Sequence, residues 1–227
     1  MTTEIEMQYH DLIKSFLADV NTNCASHLHK DRVLIPIIAS ITQGITTALA
    51  DQVETCLAAG IEPEILLEVV YQLTPVAGTL KVQQALPAIQ AVLTKHQFRP
   101  SPSATNADEN YGASIQADLY GTEIKNLLKD LPDEAGDFVP QALTNHFFND
   151  FYNRSRLDVR DRERYELLAL ITLNVDFQIK AHARGSLRAG NSESELVWAT
   201  IQLLPYIGFP LVINSVQVIH QAVSQSK

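Results

Sequence analysis

ERYELLALITLNVDF, residues 163–177, and VLIPIIASITQGITT, residues 33–47, are the stretches on which the fold turns. Read alone, the second is β-branched and apolar and fits a buried strand. The first is rich in Leu and Glu and favours helix. The two are not independent. A shift of 130 residues aligns 31–90 with 161–220 without a gap. Asp31/Asp161, Arg32/Arg162, Ala39/Ala169, Ile41/Ile171 and Thr42/Thr172 are identical, followed by Leu57/Leu187, Ala59/Ala189, Gly60/Gly190 and Leu66/Leu196. Gln72/Gln202, Leu73/Leu203, Pro75/Pro205, Gly78/Gly208, Val82/Val212 and Ile89/Ile219 complete the set. Gly and Pro recur along with the apolar residues, so the match points to an internal duplication rather than to chance likeness between amphipathic helices. Two copies of one module share a fold. Both stretches are therefore expected to be helical, with Pro36 in a first turn, where its missing N–H costs little.

The punctuation extends this reading to an all-α chain of two tandem helical modules. Gly60 and Gly190 each close a helix at a left-handed position. Ser192-x-x-Glu195 opens the next helix as a capping-box pattern, and Glu62-Pro63 does so in the first copy. Pro75–Gly78 and Pro205–Gly208 break the chain before the last helix of each copy. The helices expected are 31–45, 47–59, 62–74 and 79–94, then 160–175, 178–189, 192–204 and 209–224. Leading helices are expected over 4–28, 113–131 and 137–152. The stretch FRPSPSATNADENYG, residues 98–112, lacks an apolar period and is read as a linker between modules at 1–97 and 113–227.

Composition limits the function. The chain has 227 residues, 46% of them hydrophobic and 19% charged, enough for a substantial core. A net charge of −9 opposes nucleic-acid binding, which needs a basic face. No run of about 18 apolar residues occurs, so no membrane span is expected, and the first residues lack the apolar core of a signal peptide. Two cysteines, Cys24 and Cys56, in no metal-type spacing, fit a reducing cytoplasm and small buried residues. His27-x-His29 would point to different sides of a helix, so no metal ligand set is read.

The candidate chemistry lies in the second copy. His182 sits mid-helix in FQIKAHARGSLRAG, and Glu163 near the start of the preceding helix. A carboxylate orienting an imidazole is a common general acid or base near neutral pH. The matching residues of the first copy are Gln52 and Val33, so one copy keeps the pair and the other has lost both members. A hairpin at 176–177 would leave Glu163 about 20 Å before the turn and His182 about 8 Å after it. The pair then meets only if the helices cross steeply, the loop is longer, or the contact spans two subunits. Arg160, Arg162, Arg164 and Arg184 surround the region. They suit substrate carboxylates, or ion pairs with Asp158, Asp161 and Glu166.

LDVRDRERYELLALITL at 157–173, AHARGSLRAG at 181–190 and LLPYIGFPLVINSV at 203–216 resemble the carboxymuconolactone decarboxylase family, which includes the alkylhydroperoxidase D-like proteins. The resemblance covers most of 111–224 and returns weakly in 30–92. It implies an all-α alkylhydroperoxidase D-like fold assembling into rings, hence a homotrimer for a two-module chain. It makes Glu163 and His182 the proton-handling pair, with Arg162, Arg184, Gln178 and Tyr206 as substrate-binding candidates. No cofactor is implied. The implied partner is a small anionic metabolite, a carboxylated unsaturated lactone of aromatic catabolism, and the implied activity a lyase. The alternatives are a non-catalytic ligand-binding member and a peroxidase. Peroxidase members carry a CxxC ahead of that histidine, and Val175 and Gln178 stand at the matching positions. Arg164, Tyr165 and Glu166 depart from the family's aliphatic or small residues.

Overall fold

The α10 helix, Val159–Leu173, is buried all round: every residue from Arg162 to Ile171 is inaccessible. It opens on Asp158, whose side chain accepts from the Asp161 N–H, and closes on left-handed Asn174. Its counterpart α2, Ile35–Gln43, follows a 3₁₀ turn at Lys30–Leu34 and closes on left-handed Gly44. The β-branched stretch is thus helical, and Pro36 lies in its first turn. The β-branched side chains are tolerated because nearly all of α2 is buried in apolar packing, which outweighs weak propensity.

The structure, a computed structural model, describes residues 3–225. Met1, Thr2, Ser226 and Lys227, at the outer ends of the two expected modules, lie outside the described residues. Helices account for nearly all regular structure, and no strand is present among the described residues beyond one isolated bridge, Thr105 to Arg154. After the long α1, Glu4–Ala25, and α2 come α3 (Leu49–Ala58), α4 (Pro63–Gln72), the single turn α5 (Thr74–Ala77) and α6 (Thr79–Lys95). The stretch Tyr111–Tyr152 forms α7 (Tyr111–Tyr120), α8 (Glu123–Leu128), α9 (Ala135–Ala142) and a π-helical segment, Leu143–Tyr152. Then come α10, α11 (Asp176–Arg188), α12 (Glu193–Ile201), the single turn α13 (Leu204–Ile207) and α14 (Phe209–Gln225). The expected helix 113–131 is broken at Gly121, whose φ of 58° ends α7. The prolines of the two break points start single turns, a use of Pro at the first helical positions that the sequence reading passed over.

The α2 and α10 helices pack against each other at the centre. Contacts then run reciprocally: α5 packs on α10, and α13 packs on α2. One apolar core results, with Leu34, Ile38, Leu66 and Leu73 continuous with Leu167, Ile171, Leu196 and Leu203. Residues 98–112 are not a free tether, since Arg156 donates to Ser101 Oγ at 2.7 Å and Thr105 bridges Arg154. A small aromatic cluster, Leu119, Phe147, Phe148 and Tyr152, joins α7 to the π segment and walls the site described next.

Candidate active site

Burying α10 takes Arg162, Glu163, Arg164 and Glu166 out of water, and buried charges need partners. The arginines find theirs in the scaffold. Arg162 donates to Glu68 Oε1 at 3.1 Å, to the Arg154 carbonyl at 2.7 Å and to Gln72 Oε1 at 3.2 Å. Arg154 grips the same Glu68 with two bonds, at 2.7 and 3.0 Å. Arg164 is held by Asp31, Glu195 and Asp161. Of the expected ion pairs, only that with Asp161 involves an anticipated partner, and Arg160 turns to Glu195 at 2.5 Å. Arg162, expected to hold substrate, is instead a fully buried tie between the halves and lines no cavity described here.

Glu163 and Glu166 lie three residues apart, on one face of α10, and take different partners. Tyr152 Oη of the π segment lies 2.5 Å from Glu163 Oε1 and 2.7 Å from Glu166 Oε2. Tyr120 Oη of α7 donates to Glu163 Oε2 and lies 2.8 Å from His182 Nδ1. His182 Nδ1 is itself 3.4 Å from Glu163 Oε2. The pair expected from sequence therefore meets within one chain. The turn falls at Asn174–Val175, earlier than expected, leaving Glu163 about 15 Å from the end of α10. Gly185, about 14 Å into α11, lies over it. A Cβ on Gly185 would stand 2.5 Å from Tyr120 Oη and 2.7 Å from Glu163 Oε2. Only a residue without a side chain lets the two helices close over this network.

Protons can be assigned by counting donors. Each tyrosine has one. Burial, then the Glu163 charge, pushes the Glu166 carboxyl well above its ordinary range, so Glu166 holds a proton. Both phenols are likewise pushed up, by burial first and Glu163 second, and stay neutral. The Glu166 O–H then serves Tyr152, and both phenols donate to Glu163. Tyr120 having spent its proton on Glu163, Nδ1 of His182 carries the hydrogen directed at the phenol oxygen. Nε2 remains for chemistry.

His182 and Tyr120 form one end of a cavity of about 360 Å³. Phe147, Phe148, Leu170 and Leu173 wall it, and Pro75 and Val76 close it from the first half. Gln178 is on its lining, as is Glu123, which holds Arg184 at 2.9 Å. Tyr206, expected here, lines a different cavity, beside Gln52. Its matching residue Val76 stands at this one, because α13 packs on α2 while α5 packs on α10. Cys24 and Cys56 are buried, with their thiols on the Trp198 and Val33 carbonyls. Burial pushes the Cys56 thiol up to about 12, and neither cysteine lines the His182 cavity. Glu163, Glu166 and His182 also present one donor atom each within 4.8 Å of one another, a hard-cation set the sequence reading did not foresee. The hydroxyls of Tyr120 and Tyr152 bridge these same residues, while Glu166 Oε1 is buried without a hydrogen-bond partner.

Residues 139–221 match the carboxymuconolactone decarboxylase family. The matched segment begins in α9 and ends in α14, and so carries Tyr152, Glu163, Glu166 and His182. Tyr120 and the whole first half lie outside the family match. No curated protein matches the chain.

Sequence reasoning missed Tyr120, Tyr152, Glu166 and Gly185. Two of them left a signal. Glu163-x-x-Glu166 places two carboxylates on one face of a helix that is otherwise apolar from Leu167 on. Gly185 sits inside a helix, where it costs about 1 kcal/mol against Ala without a packing reason. Tyr120 and Tyr152 left none, since nothing local distinguishes a bridging tyrosine from a core one.

Proposed function

We propose that the His182 cavity is the active site of a lyase that decarboxylates a small carboxylated, unsaturated lactone or a related anionic metabolite. The observation that carries this reading is the buried chain Glu163–Tyr120–His182, ending at an apolar cavity of small-molecule size. In the reaction the bond from ring carbon to carboxylate breaks and CO₂ leaves. The electron pair passes into the conjugated carbonyl, and a proton that His182 Nε2 has first taken up from solvent is delivered to carbon, returning the ring to its Nδ1–H form. The aromatic wall disfavours the substrate's carboxylate charge more than the neutral CO₂ that replaces it. The cation assigned to the substrate carboxylate is Arg184, which is paired with Glu123 of the lining. Its exposed pair with Glu123 is worth only about 0–1 kcal/mol, so a substrate carboxylate can displace Glu123. Gln178 supplies an amide for the lactone carbonyl.

The two halves fit this as copies of one module, of which the second kept the site. If single-module relatives form six-membered rings, three copies of this chain make one ring. Light scattering should then give three times the chain mass, and a monomer at micromolar concentration opposes it. No helix among the described residues is long and apolar enough to cross a membrane, and a cytoplasmic setting suits a metabolic lyase.

His182→Gln, the residue of the first half, should abolish turnover on any lactone substrate with an unchanged melting temperature. Full activity in that variant ends the proposal. Lactone binding by the native chain with no turnover favours the ligand-binding alternative.

A further inference from the structure

Glu163 and Glu166 are fully buried on one face of α10, and among the described residues neither has an Arg or Lys within ion-pair reach. Arg162, on the same helix, spends its hydrogen bonds on Glu68, Gln72 and the Arg154 carbonyl. The base that meets both carboxyl groups is His182, whose Nδ1 is 3.4 Å from Glu163 Oε2 and 4.0 Å from Glu166 Oε2. One ligand atom from each of the three residues lies within 4.8 Å of the other two. Two phenols answer part of this group. Tyr152 reaches both carboxyls, and Tyr120 reaches Glu163 and His182. Neither answers Glu166 Oε1, which is buried with no hydrogen-bond partner. That oxygen shares a carboxyl carbon with Oε2, so it belongs to the same convergent group. Buried carboxyl groups that lack a cationic side chain are neutralised by a proton or by a metal ion.

The spacing suits a small cation. Ligand atoms about 2.1 Å from an ion in a tetrahedral shell stand about 3.4 Å apart. The Glu163–His182 edge has that length, and the Glu166–His182 edge is a little longer. Two carboxylates with an imidazole select a divalent first-row transition ion, such as Zn²⁺, Co²⁺ or Mn²⁺. Mg²⁺ and Ca²⁺ take oxygen ligands and gain little from the imidazole. The set is also present as a whole or not at all. The positions 130 residues earlier hold Val33, Pro36 and Gln52, none of them an ionisable ligand. His182 and Tyr120 line the cavity of the second half, which gives an ion a way in. We propose that Glu163, Glu166 and His182 bind one divalent transition-metal ion, through an oxygen of each carboxylate and Nδ1 of the imidazole. On binding, the Glu166 proton leaves to solvent and the imidazole hydrogen moves from Nδ1 to Nε2. The assignment concerns binding and does not rest on the lyase reading.

Calorimetric titration of the chelator-treated full chain with Co²⁺ and with Mg²⁺ tests this, with the visible absorption of bound Co²⁺ read alongside. One Co²⁺ per chain should bind, and Mg²⁺ at least about a hundredfold more weakly. Glu166→Gln and His182→Gln should each weaken Co²⁺ binding by at least about tenfold and change its visible bands. Should Glu166→Gln fail to fold, His182→Gln, at the edge of the cavity, carries the same expectation. His96→Gln removes an exposed imidazole that stands 2.7 Å from Glu54, and it should leave Co²⁺ binding unchanged. No Co²⁺ binding at submillimolar concentration, equal affinity for Co²⁺ and Mg²⁺, or binding indifferent to the Glu166 and His182 changes overturns the assignment. Loss of binding in His96→Gln overturns it as well, since the ion would then sit at the surface. A chain that binds Co²⁺ but turns over no lactone keeps this assignment without the lyase reading. Turnover by a chain with no affinity for Co²⁺ keeps the lyase reading and ends this one.

Discussion

Around α2 and α3 stand Val33, Pro36, Gln52 and Thr55. At the matching places on α10 and α11 stand Glu163, Glu166, His182 and Gly185. The helix order is alike in both regions, down to the left-handed residue after the central helix, Gly44 in one and Asn174 in the other, but Lys30–Leu34 is a 3₁₀ turn where α10 already runs as α-helix. What differs is how many polar atoms are buried and who answers them. The second region buries two carboxylates and draws two phenols from α7 and the π segment to meet them. The first faces α1, whose Asn21 takes Arg32, and keeps an apolar Val where Glu163 would need donors. The lesson is that the site is not a pair of residues. It is a network of five side chains and one glycine, in which each buried polar atom depends on its neighbour.

The strongest way to break this comparison is to give the second region the residue of the first. Glu163→Val leaves both phenols without their charged acceptor. We expect a loss of about 2–4 kcal/mol in denaturant unfolding and a fall in turnover of about 10²–10⁴. Unchanged stability would mean the tyrosines find other partners and the network is not coupled. A smaller effect comes from Gly185→Ala. Overpacking against Tyr120 and Glu163 costs about 1–3 kcal/mol, offset by about 1 kcal/mol of helix propensity. The variant should be destabilised and impaired, whereas Thr55→Gly should lose only the propensity. Thermal unfolding of the two variants side by side reads the difference.

The smallest effect is in pH dependence. The folded-state value of Glu166 is raised, by burial first and by Glu163 second. Its contribution to stability is therefore complete below the unfolded carboxyl value of about 4.3 and is lost as pH rises through the raised folded value. Glu166→Gln keeps a neutral donor at that place and removes the titration. Its stability should decline less with rising pH than that of the native chain. Parallel curves would show that Glu166 is ionised throughout and that the proton assignment is wrong.

The helical punctuation was legible residue by residue. Gly60 and Gly190 take positive φ, Pro63 begins α4, and the Ser192 hydroxyl accepts from the Glu195 N–H. The return bond of the expected capping box is not made, because the Glu195 carboxylate is drawn to Arg160 and Arg164. Such signals are local, so a sequence carries them whole. The π segment and the break at Gly121 were not read. A π turn adds one residue to a helix period that otherwise continues, and here the segment packs against α7. Glu163 and His182 were legible as candidates because the first half offered Val33 and Gln52 for contrast. Arg162 and Tyr206 were misplaced for one reason. Whether a side chain reaches a cavity or the interior depends on which half it crosses into.

The sequence by itself determined most of the helices, their order, and two residues, Glu163 and His182, that the fold brings together. Periodicity, capping and propensity act within a turn or two of chain, and the 130-residue shift needs only letters. The tertiary structure alone decided which polar atoms are buried together. Tyr120 lies 43 residues from Glu163 and 62 from His182, and only the packing of α7 and the π segment on α10 and α11 brings its hydroxyl between them. Burial then raises the Glu166 carboxyl well above its ordinary range, a property that two glutamates three residues apart do not carry in their names.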